Sequence, residues 1–89
     1  MRFARVDANH GEIVDALRRV GVSVQSLASI GHGCPDIVCA KGSMTWMVEI
    51  KGAKGKLTPD QIKFIGSWRG TVHIVRTVDD ALQLVGVLV

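Results

Sequence analysis

The sequence predicts a small α/β domain in the order α-β-β-β-α-β-α, with a central mixed sheet flanked by helices. Three observations predict it. Segments with apolar residues at helical spacing alternate with short runs rich in Val, Ile and Trp. Two of those runs adjoin through Lys41-Gly42-Ser43, the pattern of a hairpin. The chain is 89 residues and 9.6 kDa, which suits one domain over 1–89.

The first helix is expected from Asn9 to Val20. Ile13, Val14, Leu17 and Val20 recur at helical spacing, Gly21 follows as a stop, and Asn9 with Glu12 forms a candidate capping box. Val22 to Leu27 alternates as a strand. Ser29 to Cys34 is a loop, because two close glycines relax the steric limits on φ. Pro35 to Ala40 and Met44 to Lys51 are the hairpin strands, and Pro35 can open a strand because it need not donate there. The second run lacks a clean polar face, so both faces of the hairpin are expected to be covered. Gly52 to Lys56 is a polar loop. Thr58 as N-cap, Pro59 at N1 and Gln61 at N3 make a capping box, with Leu57 and Ile62 placed as a hydrophobic staple, for a helix running to about Trp68. Thr71 to Arg76 is a strand. Thr77 caps a last helix from Val78 to about Val85, where Asp79 and Asp80 suit the macrodipole.

Composition excludes several classes. Hydrophobic residues make up 47% of the chain and charged ones only 21%, which is not the make-up of a disordered tail. Cys34 and Cys39 are too few for a disulfide scaffold and lack a zinc spacing. Met1 to His10 holds no apolar signal region, and no run approaches ~18 apolar residues. The expectation is a soluble protein of a reducing compartment, the cytoplasm. A net charge of +3 leans mildly toward polyanionic partners.

Chemistry concentrates at the hairpin's open end. Asp36 enters one apolar strand, while Glu49 and Lys51 leave the other from the same face. Unpaired charges in such runs cost several kcal/mol, roughly, so they need a partner, an ion or a site. If Asp36 lies opposite Glu49, two carboxylates and an ammonium converge, and the Ile50 carbonyl adds a further oxygen. Such a set suits Mg²⁺ or Mn²⁺. A turn of three residues would set Asp36 opposite Val48. A connection of four, Lys41 to Met44, pairs Ala40 with Thr45 and Asp36 with Glu49, and that register is expected because only it builds the site. The plainer alternatives are a strand cap at Asp36 and an ordinary ion pair between Glu49 and Lys51.

Pro35-Asp36 followed by Glu49-Ile50-Lys51 resembles the signature of the PD-(D/E)xK nuclease superfamily. The wider set is Glu12-Ile13-Val14 with Leu17-Arg18, Gly33-Cys34-Pro35-Asp36-Ile37-Val38, Glu49-Ile50-Lys51 and Lys56-Leu57-Thr58-Pro59-Asp60-Gln61. It resembles the VRR-NUC family, whose stand-alone members are common in bacteriophages and bacteria, from about Asp7 to the last helix. The resemblance implies Asp36 and Glu49 as metal ligands and Lys51 as the catalytic lysine. It also implies that Glu12 reaches the metal and that Gln61 contributes from the second helix; both have a competing reading as capping residues. The activity it implies is a Mg²⁺- or Mn²⁺-dependent DNA endonuclease selective for branched DNA such as four-way junctions, working as a homodimer in a bacterial or phage-infected cell. A different class, a nucleic-acid-binding subunit without catalysis, is the alternative.

Lys54 and Lys56 are candidate contacts to the nucleic-acid backbone, and His32, between two glycines beside Asp36, is another. A solvated basic loop is the competing reading. Trp46 and Trp68 are expected to pack in the core. Mean hydropathy is +0.27 and the chain ends in Val87-Leu88-Val89, an apolar tail that favours burial against a second copy.

Overall fold

Ile13, Val14 and Leu17 form the buried stripe of helix α1 (His10–Arg19) in the computed structural model, which describes residues 8–88. Residues 1–7 and Val89, and with them most of the stretch expected to hold no signal region and the last residue of the apolar tail, lie outside the described residues. Strands β1 (Ser23–Ser26), β2 (Ile37–Lys41) and β3 (Met44–Ile50) follow, then helix α2 (Pro59–Ser67), strand β4 (Val72–Val75) and helix α3 (Val78–Leu84). This is the expected order. β1, β2 and β3 form an antiparallel meander, and β4 joins β3 in parallel, so the sheet is mixed and reads β1-β2-β3-β4 across. A parallel neighbour needs a crossover, and α2 lies in it.

The hairpin has the register that the site requires. Ala40 faces Thr45 and Ile37 faces Val48, which sets Asp36 opposite Glu49 as the ladder continues. Pairing extends to Lys41 and Met44, so only Gly42 and Ser43 form the tip, and the positive φ of Gly42 suits the first position of a type II′ turn.

The two faces of the sheet differ. Ile37, Cys39, Trp46, Val48, Ile50 and Val75 meet the α1 stripe and Ala81 of α3 in one buried core. Val38, Ala40 and Met47 on the other face are only half-buried, and none of the residues of α2 is buried. On this face the expected cover is present at Glu49 and Lys51, which are buried, and only partial at Val38, Ala40 and Met47. α2 reaches the sheet at its N-terminal end and leaves the rest open. For the same reason the staple does not form a buried contact, since Ile62 is 58% exposed, and Trp68 is 45% exposed where core packing was expected. Trp46 is buried as expected. Val87 and Leu88 are exposed, as an apolar tail without a partner would be.

Candidate active site

Alternation along β3 sends Trp46, Val48 and Ile50 into the core, and Met47, Glu49 and Lys51 to the opposite face. The strand is flanked on both sides there, so Glu49 (2% exposed) and Lys51 (9% exposed) are nonetheless buried. The Lys51 ammonium lies 3.7 Å from Glu49 Oε2, an ion pair too long for a direct hydrogen bond. Across the ladder, Asp36 accepts the Ile50 N–H at 2.7 Å through Oδ2. A strand residue sends its N–H and C=O to the same side, so the Ile50 carbonyl also faces β2. The residue that the register sets opposite it is Pro35, which has no N–H to give. Asp36, Glu49 and the Ile50 carbonyl thus present oxygens at one sheet end.

The electrostatics reflect this crowding. Burial pushes the Glu49 carboxyl up to about 7, and the neighbouring Asp36 carboxylate adds to the rise while Lys51 opposes it. Cys34 stands at the edge of the same region; burial raises its thiol, and the charges of Glu49 and Asp36 raise it further.

Gln61 makes the capping contacts and reaches Glu49 with the same side chain. Its Oε1 accepts the Thr58 N–H at 2.9 Å, and Thr58 Oγ1 accepts the Gln61 N–H at 3.2 Å, completing the capping box. The other end of the same amide, Nε2, donates to Glu49 Oε2 at 2.9 Å. The cap that starts α2 therefore also holds the buried carboxylate. The glycine loop fixes the helix against the site. Gly33 has φ 78°, and a Cβ there would overlap the Asp60 carbonyl. Only glycine allows this approach.

Chemically, the arrangement is an oxygen-rich cluster of two carboxylates and a backbone carbonyl, with an ammonium beside it. Compared with known proteins, the chain matches no family model, no curated protein and no solved structure. The site's own geometry carries the functional reading.

The remaining expected residues are placed as follows. Glu12 is exposed on the first turn of α1. Among the described residues no three His, Cys, Asp or Glu side chains gather as a metal-holding group, so Glu12 does not join Asp36 and Glu49. Its capping box with Asn9 does not form either, because the Asn9 side chain makes no cap bond. Instead Asn9 Nδ2 donates to the carbonyls of Lys51 (3.1 Å) and Arg76 (2.6 Å), tying the start of α1 to the ends of β3 and β4. Lys54 and Lys56 are exposed in the loop after Lys51, and His32 is exposed beside α2 with φ 56°. Sequence reasoning missed Arg76. Its Nη1 donates to the carbonyls of Gly52 (2.6 Å) and Gly55 (2.8 Å), gripping the turn whose Gly55 packs near the stem of Lys51. A single arginine at a strand end carries no signal of that role, since both acceptors are backbone groups over twenty residues away.

No helix among the described residues is long and apolar enough to cross a membrane.

Proposed function

We propose that the protein is a divalent-metal-dependent DNA endonuclease that hydrolyses phosphodiester bonds, selective for branched DNA as the resemblance to stand-alone VRR-NUC nucleases implies. The observation that carries the reading is the pair Asp36 and Glu49, held together at a buried strand end with Lys51 on the same face. Carboxylates crowded until one resists ionisation are unfavourable for stability alone and favourable for receiving a cation. The donor set fits Mg²⁺ or Mn²⁺: it is all oxygen, from Asp36, Glu49 and the Ile50 carbonyl, with the other positions left to water as Mg²⁺ prefers.

When bound, the ion supplies Lewis acidity to the phosphodiester and makes an attacking water more acidic. The chain's own residues do the rest. The Ile50 N–H orients Asp36, and the Gln61 amide orients Glu49. Lys51 lies at ion-pair distance from Glu49 without a short hydrogen bond, which leaves ammonium protons to stabilise charge on a phosphoryl oxygen. Asn9 and Arg76 hold the backbone on which Lys51 stands. Exposed Lys54 and Lys56 supply sequence-independent attraction to phosphates, consistent with recognition by shape.

The working unit in this reading is a homodimer. The half-open sheet face and exposed Met44, Ile74 and Leu88 support it, and two sites related by symmetry suit two cuts in a junction. Sedimentation equilibrium should find twice the 9.6 kDa chain mass. The activity is tested by incubating purified protein with labelled linear, flap and four-way DNAs in Mg²⁺, in Mn²⁺ and in EDTA. Metal-dependent cleavage that favours branched substrates is expected. Cleavage that survives EDTA, or binding with no cleavage of any substrate, would overturn the nuclease reading.

A further inference from the structure

We propose that the groove beside α2 is a subsite for an unpaired nucleobase, with Trp68 as its stacking platform. The proposal relies on the nuclease reading only for the position of the cleaved phosphate.

Asp60, Lys63, Phe64 and Ser67 lie on one side of α2, and His32 of the glycine loop faces them across a groove of about 280 Å³. The groove is preformed. Gly31, His32 and Gly33 all have positive φ, which His tolerates better than most non-glycine residues, and Gly33 touches the first turn of α2 too closely to admit a side chain. At the far end the Phe64 and Trp68 rings stack, with centroids 5.2 Å apart and planes 18° apart. Gly70 lies against the Trp68 indole N–H edge, where a Cβ would be 3.1 Å from Nε1. Phe64 stacks on one ring face and Gly70 lies at one edge, and Trp68 is still 45% exposed. A parallel stack that ends in an open indole is a surface onto which a base can add.

Charge selects the occupant. Lys63 lines the groove and exposed Arg69 adjoins Trp68, while Asp60, the anion in the lining, sits at the end next to Gln61 and the carboxylates. A second copy docked here through a two-fold axis would bring these cations together; a nucleic-acid strand neutralises them. Spacing supplies the geometry. Trp68 follows Gln61 by seven residues, about 10 Å along a helix axis. That is the axial rise of about three base pairs at ~3.4 Å each. A paired base offers no free face at that distance, whereas a base unpaired at a branch point does. The groove thus gives the same site a physical basis for preferring branched over linear DNA.

The test uses Trp46→Phe, which leaves Trp68 as the only tryptophan, titrated in EDTA with a fluorescein-labelled thymidine octamer and with a blunt DNA hairpin. Anisotropy reports binding, and indole emission reports stacking. Emission should fall by more than half at saturation with the single strand and little with the hairpin. In the otherwise native chain, Trp68→Ala should bind the octamer roughly tenfold more weakly, with partial recovery in Trp68→Phe. If Trp46→Phe fails to fold, the native chain is used and the residual emission of Trp68→Phe, which reports buried Trp46, is subtracted. Unchanged emission at saturation, equal quenching by the hairpin, or an emission shift that grows with protein concentration without DNA would overturn the subsite; the last would assign the face to a second copy. Because binding is read without metal, quenching without cleavage in Mg²⁺ would sink the nuclease reading alone, and cleavage without quenching the subsite alone.

Discussion

Replacing Gln61 by Glu separates its two jobs, because a carboxylate keeps the acceptor that the Thr58 N–H needs but cannot donate to Glu49. Burial holds the proton on the native Glu49 carboxyl up to about 7 in the folded chain, against an ordinary 4.5. Stability of the metal-free protein therefore falls as pH rises between these values and then levels off. In Gln61→Glu a second carboxylate takes the place of a donor that stood 2.9 Å from Glu49 Oε2. Two full charges about 3 Å apart repel by on the order of 5 kcal/mol at an effective dielectric of ~20, so the pair keeps one shared proton well above pH 7. Below pH 6 both proteins hold that proton and differ little. From about pH 7 to 8.5 the variant goes on losing stability at ~1.4 kcal/mol per pH unit while the native chain does not, a gap of about 2 kcal/mol. For a domain of this size that is roughly 8–16 °C in Tm. Thermal unfolding in EDTA at pH 5.5 and 8.5 measures it, with Gln61→Ala as the control, destabilised by about 2 kcal/mol at both. A Tm difference between Gln61→Glu and native protein that is the same at the two pH values would refute the contact between Gln61 and Glu49.

Glu49→Gln should lower metal-dependent cleavage by orders of magnitude while DNA binding persists, since a negative ligand is lost and a charge that repels phosphates is removed; parallel loss of binding and cleavage in a gel-shift and nicking assay would point to a folding role instead. Lys51→Ala should reduce kcat with little change in KM if the ammonium acts on charge formed in the transition state, and a loss cured by high substrate would reassign it to ground-state binding. Gly33→Ala should cost about 3 kcal/mol in thermal unfolding, because its φ is positive and the added Cβ would overlap the Asp60 carbonyl; a cost below ~0.5 kcal/mol would contradict that approach.

What was legible in the sequence was local or followed from one pairing. The element order came from periodicity and caps, and the Thr58–Gln61 capping box is present atom for atom. The pairing of Asp36 with Glu49 followed from asking which register lets two strand-end carboxylates meet, and the Ala40–Thr45 pair confirms that register. What stayed hidden depends on groups distant in the chain. Asn9 has a capping residue's identity, yet its amide finds two better-placed acceptors, the Lys51 and Arg76 carbonyls, that local sequence cannot show. Arg76 grips carbonyls of the Gly52–Gly55 turn, and backbone acceptors leave no trace in residue identity. Ile62 and Trp68 look like core residues by type, but α2 buries none of its residues and both remain exposed. Glu12 is in the place that the resemblance names, and it turns to solvent.

The two functions of the Gln61 amide also explain why a helix with no buried residue sits where it does. Burial does not anchor α2. Its first turn is held by the capping box, by the close approach of Gly33 and by the hydrogen bond to a buried carboxylate. A ligand that changes the charge at Glu49 therefore acts on the same hydrogen bond that anchors this turn.

In the proposed site Asp36 and Glu49 together hold a divalent cation, and titration calorimetry of Mn²⁺ into the native chain, Asp36→Asn and Glu49→Gln measures this. The native chain should bind Mn²⁺ saturably at pH 8, about tenfold more weakly at pH 6 where Glu49 is mostly protonated, and each variant should lose that binding while remaining folded. Equal Mn²⁺ binding by all three proteins, or no saturable binding by the native chain at pH 8, would contradict it.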